Sequence, residues 1–222
     1  MTAAVCLALL SCAFGGEPSP RIVALGDSIT KGVRPGVKTE ESYPPQLQEA
    51  LRKDGVSATV LNLGVGGQRT DQALPRLAEV LKHKPKVVAI MYGTNDSYID
   101  KGAKKPRISV DEYRKNLIKL VTELRGAGAK PILMTPPRWG DKAAKNGIGA
   151  NPNVSLERYV EACREVAKET KTPLVDHFAH WTKASAAGTD VGTWTTDQCH
   201  PNAQGHAEIV RLTLPVVREA LK

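Results

Sequence analysis

Five short apolar runs, separated by stretches of helical periodicity, constrain this chain more than any other feature of its sequence. The runs are Arg21–Leu25 (ended by Gly26), Ala58–Leu63, Lys86–Met91, Lys130–Met134 and Pro173–Asp176. Runs this short and this continuously apolar read as strands buried on both faces. Tyr43–Lys53, Asp71–Lys82, Ser109–Arg125, Val154–Glu169 and Ala203–Leu221 carry the helical spacing. Pro44 and Pro45 fall in a first turn, where a missing amide costs little. Ser109 and Glu112 have the spacing of a capping box, and Gly126 and Gly128 stop the helix it opens. The second helix should persist despite Pro75, and Pro215 should kink the last. Strands alternating with helices imply parallel connections, so the expected class is α/β: a three-layer α/β/α sandwich around a five-stranded parallel sheet. A length of 222 residues suits one such domain and would cramp two. Two connections are long for a compact domain, 96–108 and 136–152, and such loops usually serve function.

Charge and composition exclude some partners. Thirty-one Lys and Arg against 23 Asp and Glu give +8, which suits anionic surroundings such as acidic polysaccharide or lipid head groups, or simply solubility. Nucleic acid is not expected, because aromatics are only 5% of residues and no basic run interleaves with them. No transmembrane segment is expected, since no apolar stretch reaches about 18 residues. Residues 1–16 are uncharged, with an apolar run Ala3–Leu10 followed by small residues, so they read as an export leader cleaved after Gly15. Leu9-Leu10-Ser11-Cys12 also has the form of a lipoprotein box, with Cys12 as the lipid anchor. The expected location is therefore extracytoplasmic, with residues 17–222 as the working domain. Cys163 and Cys199 remain there, and sequence does not say whether they pair.

In open parallel sheets, sites form at the carboxyl ends of strands. Strand one ends in Gly26-Asp27-Ser28-Ile29-Thr30, strand two in Asn62-Leu63-Gly64-Val65-Gly66-Gly67, and strand three in Gly93-Thr94-Asn95-Asp96; after strand five comes Asp197-Gln198-Cys199-His200-Pro201. These are the parts that acyl transfer needs. A serine hydroxyl attacks a carbonyl only when a base takes its proton, and an imidazole base needs a carboxylate to hold its tautomer. Ser28, His200 and Asp197 can fill those roles. Backbone N–H groups of Ser28 and Gly67 with the Asn95 amide can bind the developing oxyanion. Glycine at 67 would keep a side chain from blocking that approach, although Gly66 offers its amide equally well.

In these blocks the chain resembles the SGNH hydrolase superfamily, also called the GDSL esterase/lipase superfamily. A Ser in GDS, a Gly, an Asn in GxND and a DxxH occur in order, and the likeness spans Arg21 to Lys222. Ile29 stands where the superfamily's name has Leu. The resemblance implies Ser28 as nucleophile, His200 as base, Asp197 as its orienter and Gly67 and Asn95 as oxyanion partners. It further implies a flavodoxin-like strand order and ester hydrolysis without metal or organic cofactor. The expected substrate is a small-molecule or polysaccharide ester, an O-acetylated carbohydrate first, with a lysophospholipase or thioesterase of the same superfamily, or a non-catalytic glycan-binding relative, as the alternatives.

Blander readings compete at each position. Ser28 can cap a helix from Ile29 with help from Asp27, Asp96 suits structural bonding, and Asp176, His177 and His180 suit a turn better than a metal cluster. Cys199 before the base suits packing, or a clamp if bonded to Cys163. Arg138, Trp139 and Trp194 are candidates for a wall against which a sugar ring stacks; anchoring of their loops is the equal alternative.

Overall fold

The computed structural model describes residues 19–222. The expected leader, residues 1–16, and Cys12 lie outside the described residues. Strands β1 (Arg21–Gly26), β2 (Thr59–Asn62), β3 (Val87–Met91), β4 (Lys130–Thr135) and β5 (Leu174–Asp176) form one parallel sheet ordered β2-β1-β3-β4-β5. This is the flavodoxin-like order, with its switch point between β1 and β3, where Gly26 pairs with Met91. The helices are α1 (Ser28–Lys31), α2 (Tyr43–Lys53), α3 (Thr70–Ala73), α4 (Leu77–Lys82), α5 (Val110–Gly126), α6 (Pro152–Glu169), α7 (His177–Ala186) and α8 (Ala203–Leu221).

Side chains alternate between the faces of each strand. Val23, Leu25, Val88, Ile90 and Leu133 therefore pack with Leu117, Leu120 and Leu124 of α5 and Tyr159 and Val166 of α6. Ile22, Ala24, Val87, Ala89 and Ile132 pack with Tyr43, Leu47 and Leu51 of α2 and Ile209 and Val217 of α8. Both faces of the central strands are dry, which is why β1, β3 and β4 read as unbroken apolar runs. Truncating any of these buried leucines to alanine should cost about 2–5 kcal/mol.

Four local expectations need correction. The second helix is not continuous: Pro75 sits in a 3₁₀ turn, Leu74–Arg76, between α3 and α4. Only half of the capping box forms, with Ser109 Oγ accepting from the Glu112 amide at 3.2 Å. Asn151 caps α6 through the Asn153 amide, which starts that helix at Pro152. After β5 the chain makes no mere turn. Asp176 accepts from the Ala179 amide at 3.0 Å and opens α7. Among the described residues, no helix is long and apolar enough to cross a membrane.

Candidate active site

The site begins where β1 stops. A Cβ on Gly26 would meet Thr30 Oγ1 at 2.1 Å and the Met91 carbonyl oxygen at 2.6 Å, so only glycine lets the strand end close against β3 and α1. Asp27 then caps α1, its Oδ1 accepting from the Ile29 amide at 2.9 Å. That leaves Ser28 as the first helical residue with its hydroxyl free to face outward from the strand edge. Ser28 Oγ lies 2.9 Å from His200 Nε2, across 172 positions of sequence.

His200 is held by its own turn. Its Nδ1 lies 2.9 Å from Asp197 Oδ2, while Asp197 Oδ1 accepts from the amides of Cys199 (3.1 Å) and His200 (2.8 Å). Gln198, at φ 69, makes the left-handed bend between carboxylate and ring. Burial pushes the Asp197 carboxyl up, but the His200 amide and ring outweigh it and hold the group below its ordinary value. Arg34 Nη2 also donates to Asp197 Oδ2, at 2.7 Å. No motif marks Arg34, and sequence reasoning missed it.

The opposite flank is a relay that runs from buried Asp27 through Asn95 to exposed Arg107. Asn95 Nδ2 donates to Asp27 Oδ2 at 3.1 Å, and Asn95 Oδ1 accepts from Arg107 Nη1 at 3.2 Å. A carboxylate on one end and a cation on the other fix which way the amide points and leave one N–H uncommitted. Arg107 is itself clamped by Asp100 (2.8 and 2.6 Å) and lies 5.1 Å over the Tyr98 ring. Asp27 is 1% exposed, and burial raises its carboxyl to about 7 against the opposing Ile29 amide. Asp96 accepts from the Thr70 amide (2.9 Å) and hydroxyl (2.5 Å), the structural bonding expected of it.

Gly67 has φ 72, and nothing lies within 4 Å of a Cβ built there. The left-handed backbone by itself calls for glycine here. Among the described residues, the amides of Ser28, Gly66 and Gly67 donate to no protein acceptor.

Ser28, His200 and Asn95 meet in a hollow of about 140 Å³ completed by Thr94, Cys199, Tyr98, Arg107 and Trp139. Trp139 stacks on Tyr98 with centroids 5.9 Å apart, so of the three proposed wall residues it alone lines the hollow. Arg138 instead pairs with Asp141. Trp194 is 8% exposed and packs edge-on against Trp181 at 5.1 Å, in a separate apolar cluster with Val191. Both long loops reach the site: 96–108 supplies Tyr98 and Arg107, and 136–152 supplies Trp139. Tyr98 and Arg107 had no motif to reveal them beyond their place in an overlong connection.

Cys163 and Cys199 are separate buried thiols, so no disulfide clamps the loop. Hydrogen bonds do so instead, including Gly140 N–H to the Gln198 carbonyl (2.8 Å) and Thr196 N–H to the His200 carbonyl (2.9 Å). Asp176 is occupied by Thr135, Arg164 and the α7 cap, and His180 by Glu208 at 2.7 Å.

The model of the GDSL-like lipase/acylhydrolase family matches residues 24–208, from within β1 into α8. The chain belongs to that family. It is an ester-hydrolysing enzyme. This GDSL-like enzyme is 33% identical over 177 residues to the uncharacterized lipoprotein YqeF of Bacillus subtilis, covering 73% of this chain and 72% of that one. It is 27% identical over 210 residues to an acetylxylan esterase of Geobacillus stearothermophilus, covering 87% and 92%. The crystal structure of a lipase/acylhydrolase from Enterococcus faecalis shares its fold with a TM-score of 0.73 at 26% identity, covering 90% and 96%.

Proposed function

We propose that this enzyme hydrolyses short-chain esters, acetyl esters of carbohydrate first, through an acyl intermediate on Ser28. The observation that carries the reading is the 2.9 Å contact between Ser28 Oγ and His200 Nε2 at the mouth of a hollow of only about 140 Å³. Drug-sized sites run to roughly 300–1,000 Å³, so this hollow suits an acetyl group and not a fatty acyl chain. That size disfavours the lysophospholipase and thioesterase alternatives.

Ser28 Oγ attacks the ester carbonyl while His200 Nε2 takes its proton, and Asp197 stabilises the imidazolium. The tetrahedral oxyanion is received by the Ser28 and Gly67 amides and the free N–H of Asn95. His200 returns the proton to the leaving alcohol, the acyl-serine forms, and a water activated by His200 releases the acid. Trp139, backed by Tyr98, offers a flat apolar face beside the leaving-group side, where a sugar ring can stack. Similarity to an acetylxylan esterase supports the carbohydrate substrate. The leader in residues 1–16 and the similarity to a lipoprotein support export, with Cys12 as the anchor.

Two measurements test this reading: acetate release from acetylated xylo-oligosaccharides, and a series of p-nitrophenyl esters from acetate to octanoate, each on wild type and Ser28→Ala. Activity should fall steeply beyond butyrate and vanish in the variant. A flat chain-length profile contradicts the short-acyl reading; equal rates in the two proteins contradict Ser28.

A further inference from the structure

The amino-terminal edge of the sheet, opposite the hollow, holds the protein's entire excess of positive charge. Segments 19–21, 52–58, 82–86, 125–130, 168–173 and 218–222 meet there. Hydrogen bonds join them: Arg21 Nη1 to the His83 carbonyl (3.0 Å), Arg218 Nη1 to Asp54 Oδ2 (2.9 Å) and Arg125 Nη2 to the Lys171 carbonyl (3.1 Å). Lys130 N–H to the Lys86 carbonyl (2.8 Å), and Lys86 Nζ to the Leu221 carbonyl, complete the set. These segments carry twelve Lys and Arg against Asp54, Glu169 and Glu219, or +9. The whole chain is +8, so everything else sums to −1.

Helix dipoles favour basic residues at helix carboxyl ends, which accounts for Lys82 and Lys168. They do not account for Arg21 and Lys130, which open strands. Lys84 and Lys171 follow the C-caps of α4 and α6 in left-handed backbones, φ 47 and 50, that glycine or asparagine adopts at less cost. Among the described residues, no carboxylate lies within 4 Å of any of these six side chains' charged nitrogens. An apolar hollow of about 290 Å³, floored by Ala129, Pro131, Pro173 and Val216, opens on the same edge.

We propose that this edge docks against an anionic lipid surface and so turns the Ser28 hollow away from it. Ser19 lies on the edge, its hydroxyl 2.9 Å from Ser57 Oγ. The expected anchor Cys12 lies seven positions earlier in sequence, a reach of at most about 25 Å. The edge and an anchor there can therefore address one surface. The inference does not depend on acylation of Cys12 or on the role of Ser28.

The test is co-sedimentation of the full chain with phosphatidylglycerol or phosphatidylcholine vesicles at low and high salt. Each basic residue near an anionic leaflet adds about fivefold to partitioning. Wild type should prefer phosphatidylglycerol at least about tenfold, with the preference lost in high salt. Lys84→Glu/Lys130→Glu/Lys171→Glu should abolish that preference while keeping p-nitrophenyl acetate hydrolysis. Lys104→Glu/Lys105→Glu/Lys145→Glu, with the same change in net charge, should keep most of it. Equal binding to both lipids, equal loss in both variants, or retention by a soluble polyanion with none by vesicles would each overturn the proposal.

Discussion

The two flanks of the hollow are built in opposite ways. On the proton-handling flank, Asp197 and His200 lie three positions apart and are fixed mainly by bonds within their own turn, in partial contact with solvent. On the anion flank, Asp27, Asn95 and Arg107 come from three places in the chain and are fixed by one another, with Asp27 fully enclosed. The same residue type is driven in opposite directions: Asp197 sits below its ordinary value and Asp27 is raised to about 7. A short turn can secure a catalytic couple by itself. A cradle assembled from distant parts of the chain depends on the neighbours that orient it.

That contrast can be broken at several points. The largest effect is expected from Asp197→Asn, which leaves the turn but deprives His200 of the partner that sets its tautomer. A fall in kcat of roughly 10⁴-fold with little change in KM is expected. A loss under tenfold would mean that the turn does not govern the ring. Asn95→Ala should lower kcat by about 10²–10³-fold, as removal of one oxyanion donor does elsewhere. Arg107→Met retains the stem and removes the donor to Asn95 Oδ1, with about a tenfold loss in kcat. In an Asn95→Ala background the Arg107 substitution should do nothing more to kcat. Additive losses would show that Arg107 acts on the substrate directly and does not orient Asn95.

The smallest effect concerns stability. Because burial raises the Asp27 carboxyl, folded and unfolded chains both hold its proton below about pH 3.8. Between there and about pH 7 the unfolded chain releases it more readily, so this group's contribution to stability declines as pH rises. Asp27→Asn should therefore gain on wild type by several degrees in Tm from pH 4 to pH 7, whatever its absolute offset. A constant difference would mean that Asp27 ionises as freely as it does in the unfolded chain.

The same contrast explains what could be read beforehand. Val87–Met91 and its neighbours announce a doubly covered sheet because burial on both faces leaves no polar alternation. Ser28, Asn95 and the Asp197–His200 turn stand at strand ends or within four residues of each other, so they carry local signatures. Arg34, Tyr98 and Arg107 act through contacts spanning 163, 41 and 12 positions to Asp197, Trp139 and Asn95, and nothing local distinguishes them from surface residues. Trp194 misled for the converse reason: its position three residues before Asp197 suggested the hollow, while its ring packs inward against Trp181. The helix α7 was missed because its opening residues, Asp176, His177 and His180, looked like polar loop.

The account stands most directly on the reactivity of one hydroxyl. Treatment with a fluorophosphonate, followed by intact and peptide mass measurement, should show one phosphonyl group per chain, on Ser28, in step with complete loss of esterase activity. Ser28→Ala should remain unlabelled. A label carried by another residue, or a fully labelled protein that still hydrolyses p-nitrophenyl acetate, would contradict the role of the Ser28–His200–Asp197 series.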